Sequence, residues 1–150
     1  MTIDREWETF VDHPDAASFA LERLRDLGIY AIDHEPHGVD LTVVNVLLTG
    51  DARISALHRD FMGIAGSTDI MTFPAELEPG KTGRGGDIVI SVDAARENGQ
   101  DAGHSTWDEV RFLVVHGVLH LCGWDDQDDD HRAAMLTRQS EIIAAFDARI

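Results

Sequence analysis

Cysteine is almost missing from this chain: Cys122 is the only one in 150 residues. A lone thiol forms no internal disulfide, so stability has to come from a packed core, which suits a reducing compartment. Bases are scarce as well. Twelve Lys and Arg stand against 28 Asp and Glu, a formal net charge of −16. That balance excludes a surface that holds nucleic acid by phosphate neutralisation alone, because such binding depends on Lys and Arg. No apolar run approaches the ~18 residues of a membrane span. The opening Met1-Thr2-Ile3-Asp4-Arg5-Glu6 has neither the basic region nor the apolar stretch of a secretory leader. A cytoplasmic location with no membrane partner is therefore expected.

What is present is the composition of an ordinary globular protein, 43% hydrophobic and 27% charged. The length fits one domain over 1–150. Residues 51–100 are the least acidic third, and Arg53, Arg59, Lys81, Arg84 and Arg96 are the contacts they offer to an anionic polymer.

Apolar spacing sets out the elements. Pro14 followed by Ala17, Phe19, Ala20, Leu21, Leu24 and Leu27 predicts an amphipathic helix closed by Gly28. Leu41–Leu48 is β-branched and nearly all apolar, the pattern of a strand buried on both faces, and Thr49-Gly50-Asp51 ends it. Ile54, Leu57, Phe61 and Met62 place a second helix over 52–62. Ile70–Phe73 and Asp87–Val92 read as short strands. Between them, the glycine-rich loop from Glu76 to Gly86 reads as a flexible basic flap near a site. From Asp93 onward the pattern is helical. Ser105 with Asp108 resembles a capping box ahead of the run Val110–Leu121, which has almost no polar face and should form a central buried helix. A last helix is predicted from about Asp128 to Arg149, with Ala133, Met135, Leu136, Ile142, Ile143 and Phe146 facing inward. The fold class is α+β: a small mixed sheet of about four strands packed with about five helices.

The segment from His116 to Asp126 carries the chemistry. His116 and His120, four apart on the buried helix, turn their imidazoles to one side. Burying two imidazoles there requires partners for their nitrogens, and a metal ion supplies one. Gly123 can take positive φ and double the chain back, so a third ligand can arrive from beyond the helix. Zinc suits imidazole and carboxylate donors, and three protein ligands leave a fourth position for water. The spacing is also that of metzincin proteases, but those carry a glutamate base directly after the first histidine, where this chain has Gly117. A peptidase is thereby disfavoured. A calcium loop over Asp125, Asp128, Asp129 and Asp130 fails for want of its glycine and closing glutamate. Ala75–Thr82 fails as a phosphate loop because alanine replaces the first glycine and two acids occupy the cradle.

His116-Gly117-Val118-Leu119-His120-Leu121-Cys122-Gly123-Trp124-Asp125, with a further ligand next, resembles the motif of the bacterial YbeY family of metal-dependent endoribonucleases. Thr68-Asp69-Ile70-Met71-Thr72-Phe73-Pro74 and Gly86-Asp87-Ile88-Val89-Ile90-Ser91 are similar to two further blocks of that family, in the same order. The resemblance implies a single-strand endoribonuclease for ribosomal RNA maturation, including 3′-end processing of the small-subunit RNA. It also implies one zinc ion on His116, His120 and Asp126, with ribosomal RNA and ribosome or assembly proteins as partners. Zinc there would lower the pKa of a bound water and polarise the scissile phosphate. The chain departs from the family twice. The third ligand, usually histidine, falls on Asp126, with His131 as a rival. The arginine that the family carries on the second helix falls on Met62, with Arg59 one turn earlier as a possible substitute for substrate binding and His58 in an asparagine position. No dedicated general base is visible; Asp125 or the ion's own hydroxide are the options. The alternative is a non-catalytic ribosome-assembly factor with a structural zinc.

Overall fold

The computed structural model describes residues 4–149. The strands are β1 (Glu6–Val11), β2 (Leu41–Thr49), β3 (Ile70–Ala75) and β4 (Arg84–Ser91). The helices are α1 (Leu21–Asp33), α2 (Asp51–Met62), α3 (Val92–Ala102), α4 (Thr106–Leu121) and α5 (Asp129–Asp147). One mixed sheet results, ordered β1-β2-β4-β3, with β1, β2 and β4 parallel and β3 antiparallel to β4 at the edge. The class is α+β. Among the described residues no helix is long and apolar enough to cross a membrane.

Strand side chains alternate between faces, and this divides the core. Val44, Val46 and Leu48 of β2 and Ile88 and Ile90 of β4 join α1, α4 and α5 in the main cluster. Val89 and Met71 point the other way, against Ile54 of α2. The sheet therefore separates α2 from α4. On the α4 side Val110, Val114, Val115, Val118 and Leu119 have no exposed surface, and each such side chain contributes ~1.5–3 kcal/mol. Ser105 caps α4 by accepting from the Asp108 N–H. Gly117 is what lets α4 sit so close to the sheet, since a Cβ there would lie 2.9 to 3.1 Å from the Ile88 side chain.

Several expectations need correction. Pro14–Ala16 is only a single 3-10 turn, and α1 runs from Leu21 to Asp33 with Gly28 inside it. The reason is packing: a Cβ on Gly28 would meet the Trp7 indole at 2.1 Å. Trp7 belongs to β1, a strand that the apolar patterning did not single out, because Glu6, Glu8 and Phe10 on its other face are exposed. β4 starts at Arg84 and ends at Ser91, whose hydroxyl caps α3. The loop before it is tied to the sheet, with Lys81 bonded to Glu6 and the Thr82 carbonyl accepting from Thr42, and Arg84 at its end lies beside the turn after α4. On α5, Ala133 and Leu136 face solvent, and Gln139 takes a buried place beside Met135, Ile142 and Phe146.

Candidate metal centre

The last turn of α4 builds the site. Gly123 adopts φ 100°, and the Trp124 N–H returns to the Leu119 carbonyl at 3.0 Å, a left-handed helix end that only glycine adopts without strain. The chain then folds back, so that Asp126 faces the helix it has just left. Its Oδ2 lies 3.5 Å from Nε2 of both His116 and His120, and the two Nε2 atoms are 3.0 Å apart.

The other ring nitrogens are occupied. His116 Nδ1 lies 2.9 Å from Gln139 Oε1, and the Gln139 amide donates in turn to the Phe112 carbonyl, which sets its orientation. His120 Nδ1 lies 3.0 Å from the Trp124 carbonyl. Both partners only accept, so each Nδ1 carries the proton and each neutral ring turns its Nε2 lone pair inward. Two lone pairs and a carboxylate then confront one another across 3.0 to 3.5 Å. A cation removes that repulsion. Tetrahedral zinc, with ~2.0–2.1 Å bonds, holds its donors ~3.3 Å apart, so this donor set and spacing fit such an ion. Burial pushes the His116 imidazole below its ordinary pKa, only partly countered by the bond to Gln139, and this keeps the ring in its neutral, ligating form.

A second layer holds the returning chain. Trp124 Nε1 donates to Glu35 Oε1 at 2.6 Å, and Arg138 donates to Glu35 Oε2 at 3.1 and 3.3 Å. Glu35 is thus a buried carboxylate that ties this turn to α5. Cys122, beside it, is inert: burial raises its thiol to about 11.

Of the residues singled out in the sequence, His116, His120 and Asp126 are brought together with their ligand atoms within 4.8 Å of one another. His131 is not part of that group. It is exposed, with Nδ1 on Asp128 Oδ2 at 2.6 Å. Arg59 is exposed on α2 and bonded to Asp60, Met62 is 58% exposed, and His58 faces the Gly66 carbonyl. Gln139 was missed. Its signal is a polar residue between Met135 and Ile142 on an apolar stripe. Glu35 carries no such signal in its surroundings.

Fold and side-chain cluster define a class: α+β proteins that bring two histidines and one carboxylate together at the end of a buried helix, in a group able to hold a metal ion. The chain belongs to the Endoribonuclease YbeY family, whose model matches residues 12–147. It is 37% identical over 149 residues to Endoribonuclease YbeY of Kineococcus radiotolerans, covering 91% of this chain and 86% of that protein. The corresponding protein of Acidothermus cellulolyticus is 36% identical over 160 residues, covering 99% of this chain and 93% of its own. Among solved structures, that of TM1509 from Thermotoga maritima superposes with a TM-score of 0.63 at 25% identity, covering 93% of this chain and 88% of that one.

Proposed function

We propose that this protein is a metal-dependent endoribonuclease that cuts single-stranded RNA in ribosomal RNA maturation, with one zinc ion held by His116, His120 and Asp126. The observation that carries the reading is the inward convergence of two imidazole lone pairs on a carboxylate. Kinship with proteins named Endoribonuclease YbeY supports the reaction class. A divalent ion bound there supplies Lewis acidity to a phosphoryl oxygen and makes water more acidic.

The chain's own groups supply the rest. Gln139 and the Trp124 carbonyl keep both rings in the ligating tautomer and orientation. Asp125 adjoins the ligands and its carboxylate accepts from the Gln127 N–H at 3.3 Å; it and the ion's own hydroxide are the two candidate proton acceptors. Local positive charge at this centre answers the overall charge of −16, because it attracts a phosphate where the acidic surface repels it. Arg84, at the edge of the same centre, adds fixed positive charge there while its donors hold Asp40, His37 and Leu121, whereas Arg59 lies on the helix across the sheet.

Incubating the zinc-loaded protein with single-stranded RNA and with casein tests the proposal. RNA is expected to be cut and casein left intact, and an Asp126→Ala variant is expected to be inactive. Cleavage that persists in that variant overturns the assigned centre. Intact metal binding without any RNA cleavage favours the assembly-factor reading.

A further inference from the structure

Beside the ligand cluster lies a groove of about 710 Å³, open to solvent and sharing His120 with the metal centre. Most of its exposed wall is apolar, from Pro36, Cys122, Trp124 and Ala134, and charged and polar side chains, Asp125 and Arg84 among them, stand around it. An apolar wall with polar groups placed around it, at this volume, is that of a small-molecule subsite.

Two features narrow the occupant. The first is that Trp124 is fixed: its indole N–H is committed to Glu35 at 2.6 Å, and Glu35 is gripped by Arg138. An aromatic ring immobilised before binding loses little further freedom when something flat stacks on it. The second is that Arg84 is already spoken for, donating to Asp40 at 2.9 Å, to the His37 carbonyl at 2.8 Å and to the Leu121 carbonyl at 2.5 Å. It contributes fixed positive charge with few donors left over, so the groove is not built to grip a phosphate. A flat, largely apolar ring with polar edges matches it better.

We infer that the groove is a nucleobase subsite, which takes the base of a nucleotide adjacent to the scissile phosphate and stacks it against Trp124. This rests on the nuclease reading above and deepens it. Sharing His120 means that a phosphate at the metal centre and a base in the groove belong to neighbouring parts of one strand. A base in a duplex must leave its stack to enter, whereas one in a single strand is free to do so, and a preference for unpaired RNA follows.

Two measurements test it. The first follows the indole N–H signals of Trp7, Trp107 and Trp124 by NMR while the zinc-loaded protein is titrated with adenosine or cytidine monophosphate to millimolar concentration. The Trp124 signal is expected to shift, those of Trp7 and Trp107 to stay, and ribose 5-phosphate to leave all three unchanged. An Ala134→Trp variant, which fills the groove from α5, should abolish the shift. Equal shifts with ribose 5-phosphate, or none with either nucleotide, overturn the proposal. The second maps the cleaved bond in a short RNA and replaces each flanking nucleotide in turn by an abasic ribose. One replacement is expected to lower kcat/KM by ~5-fold or more, as loss of base stacking on an aromatic ring should, and insensitivity to both overturns the subsite. If no RNA is cut while the Trp124 shift remains, the nuclease reading falls and the nucleobase groove stands.

Discussion

The Nε2 atoms of His116 and His120 face each other across 3.0 Å, each with its proton held on the opposite side of its ring. Neither nitrogen can donate to the other while Gln139 and the Trp124 carbonyl occupy the Nδ1 protons. A divalent metal between them should relieve the repulsion of these two lone pairs and the Asp126 carboxylate.

Zinc is accordingly expected to stabilise the folded chain. At a free concentration 100 times the dissociation constant the gain is ~2.7 kcal/mol, and chelation should reverse it. Calorimetry with and without EDTA reads this directly. An unchanged melting temperature would count against the centre.

The identity of the third ligand can be separated from its presence. Asp126→Ala should weaken zinc binding by more than the ~10–100-fold typical of second-layer changes, whereas Asp126→His, restoring the family's usual donor, should keep it. Competition against a chromogenic chelator measures both. His131→Ala should leave affinity unaltered, because that ring is exposed and turned to Asp128.

Gln139→Leu removes the acceptor for His116 Nδ1 and the donor to Phe112 in one step. Two half-buried groups lose their partner, so a cost of ~1 kcal/mol or more in urea unfolding is expected together with ~10–100-fold weaker zinc binding. Gln139→Glu, which keeps the acceptor, should recover most of the affinity. Equal losses in the two variants would reduce Gln139 to a packing role.

Gly117→Ala tests how closely α4 must approach the sheet. The new methyl would sit 2.9 Å from an Ile88 carbon, an overpacking that costs ~1–3 kcal/mol against ~1 kcal/mol returned by helix propensity. Net destabilisation in denaturant titration is expected, with displaced ligands and weaker metal binding. The same contact explains why no glutamate base follows the first histidine: there is no room for one.

The start of α5 should respond to pH. The His131 backbone N–H, then its ring, hold Asp128 below the ordinary carboxylate range, and the Asp128 carboxylate raises His131. The Asp128 contribution is full above the unfolded value of 3.8 and is lost as pH falls through its folded value. The His131 contribution is full below the unfolded value of 6.5 and is lost as pH rises through its folded value. Wild type should therefore exceed a His131→Ala variant in melting temperature most clearly between those limits. A difference independent of pH would contradict the pairing.

Much of this was legible in the residues because apolar periodicity and glycine placement act locally. The run from Val110 to Leu121 announces a buried helix, Leu41–Leu48 a two-faced strand, and His116, His120 and Gly123 a ligand cluster closed by a reversal. What escaped depended on distant partners. Gly28 reads as a helix stop until Trp7, from another strand, is seen to fill the space above it. Likewise Glu35 looks like a loop acid until Trp124 and Arg138 reach it from 89 and 103 residues away.

That last separation has a temporal side. During synthesis His116, His120 and Asp126 emerge within a single short stretch, but Arg138 and Gln139 follow only later, on α5. A nascent chain already offers three donors, yet lacks the braces that aim them, so tight capture of the ion should wait until α5 has docked. Metal loading would then report completed folding rather than begin it.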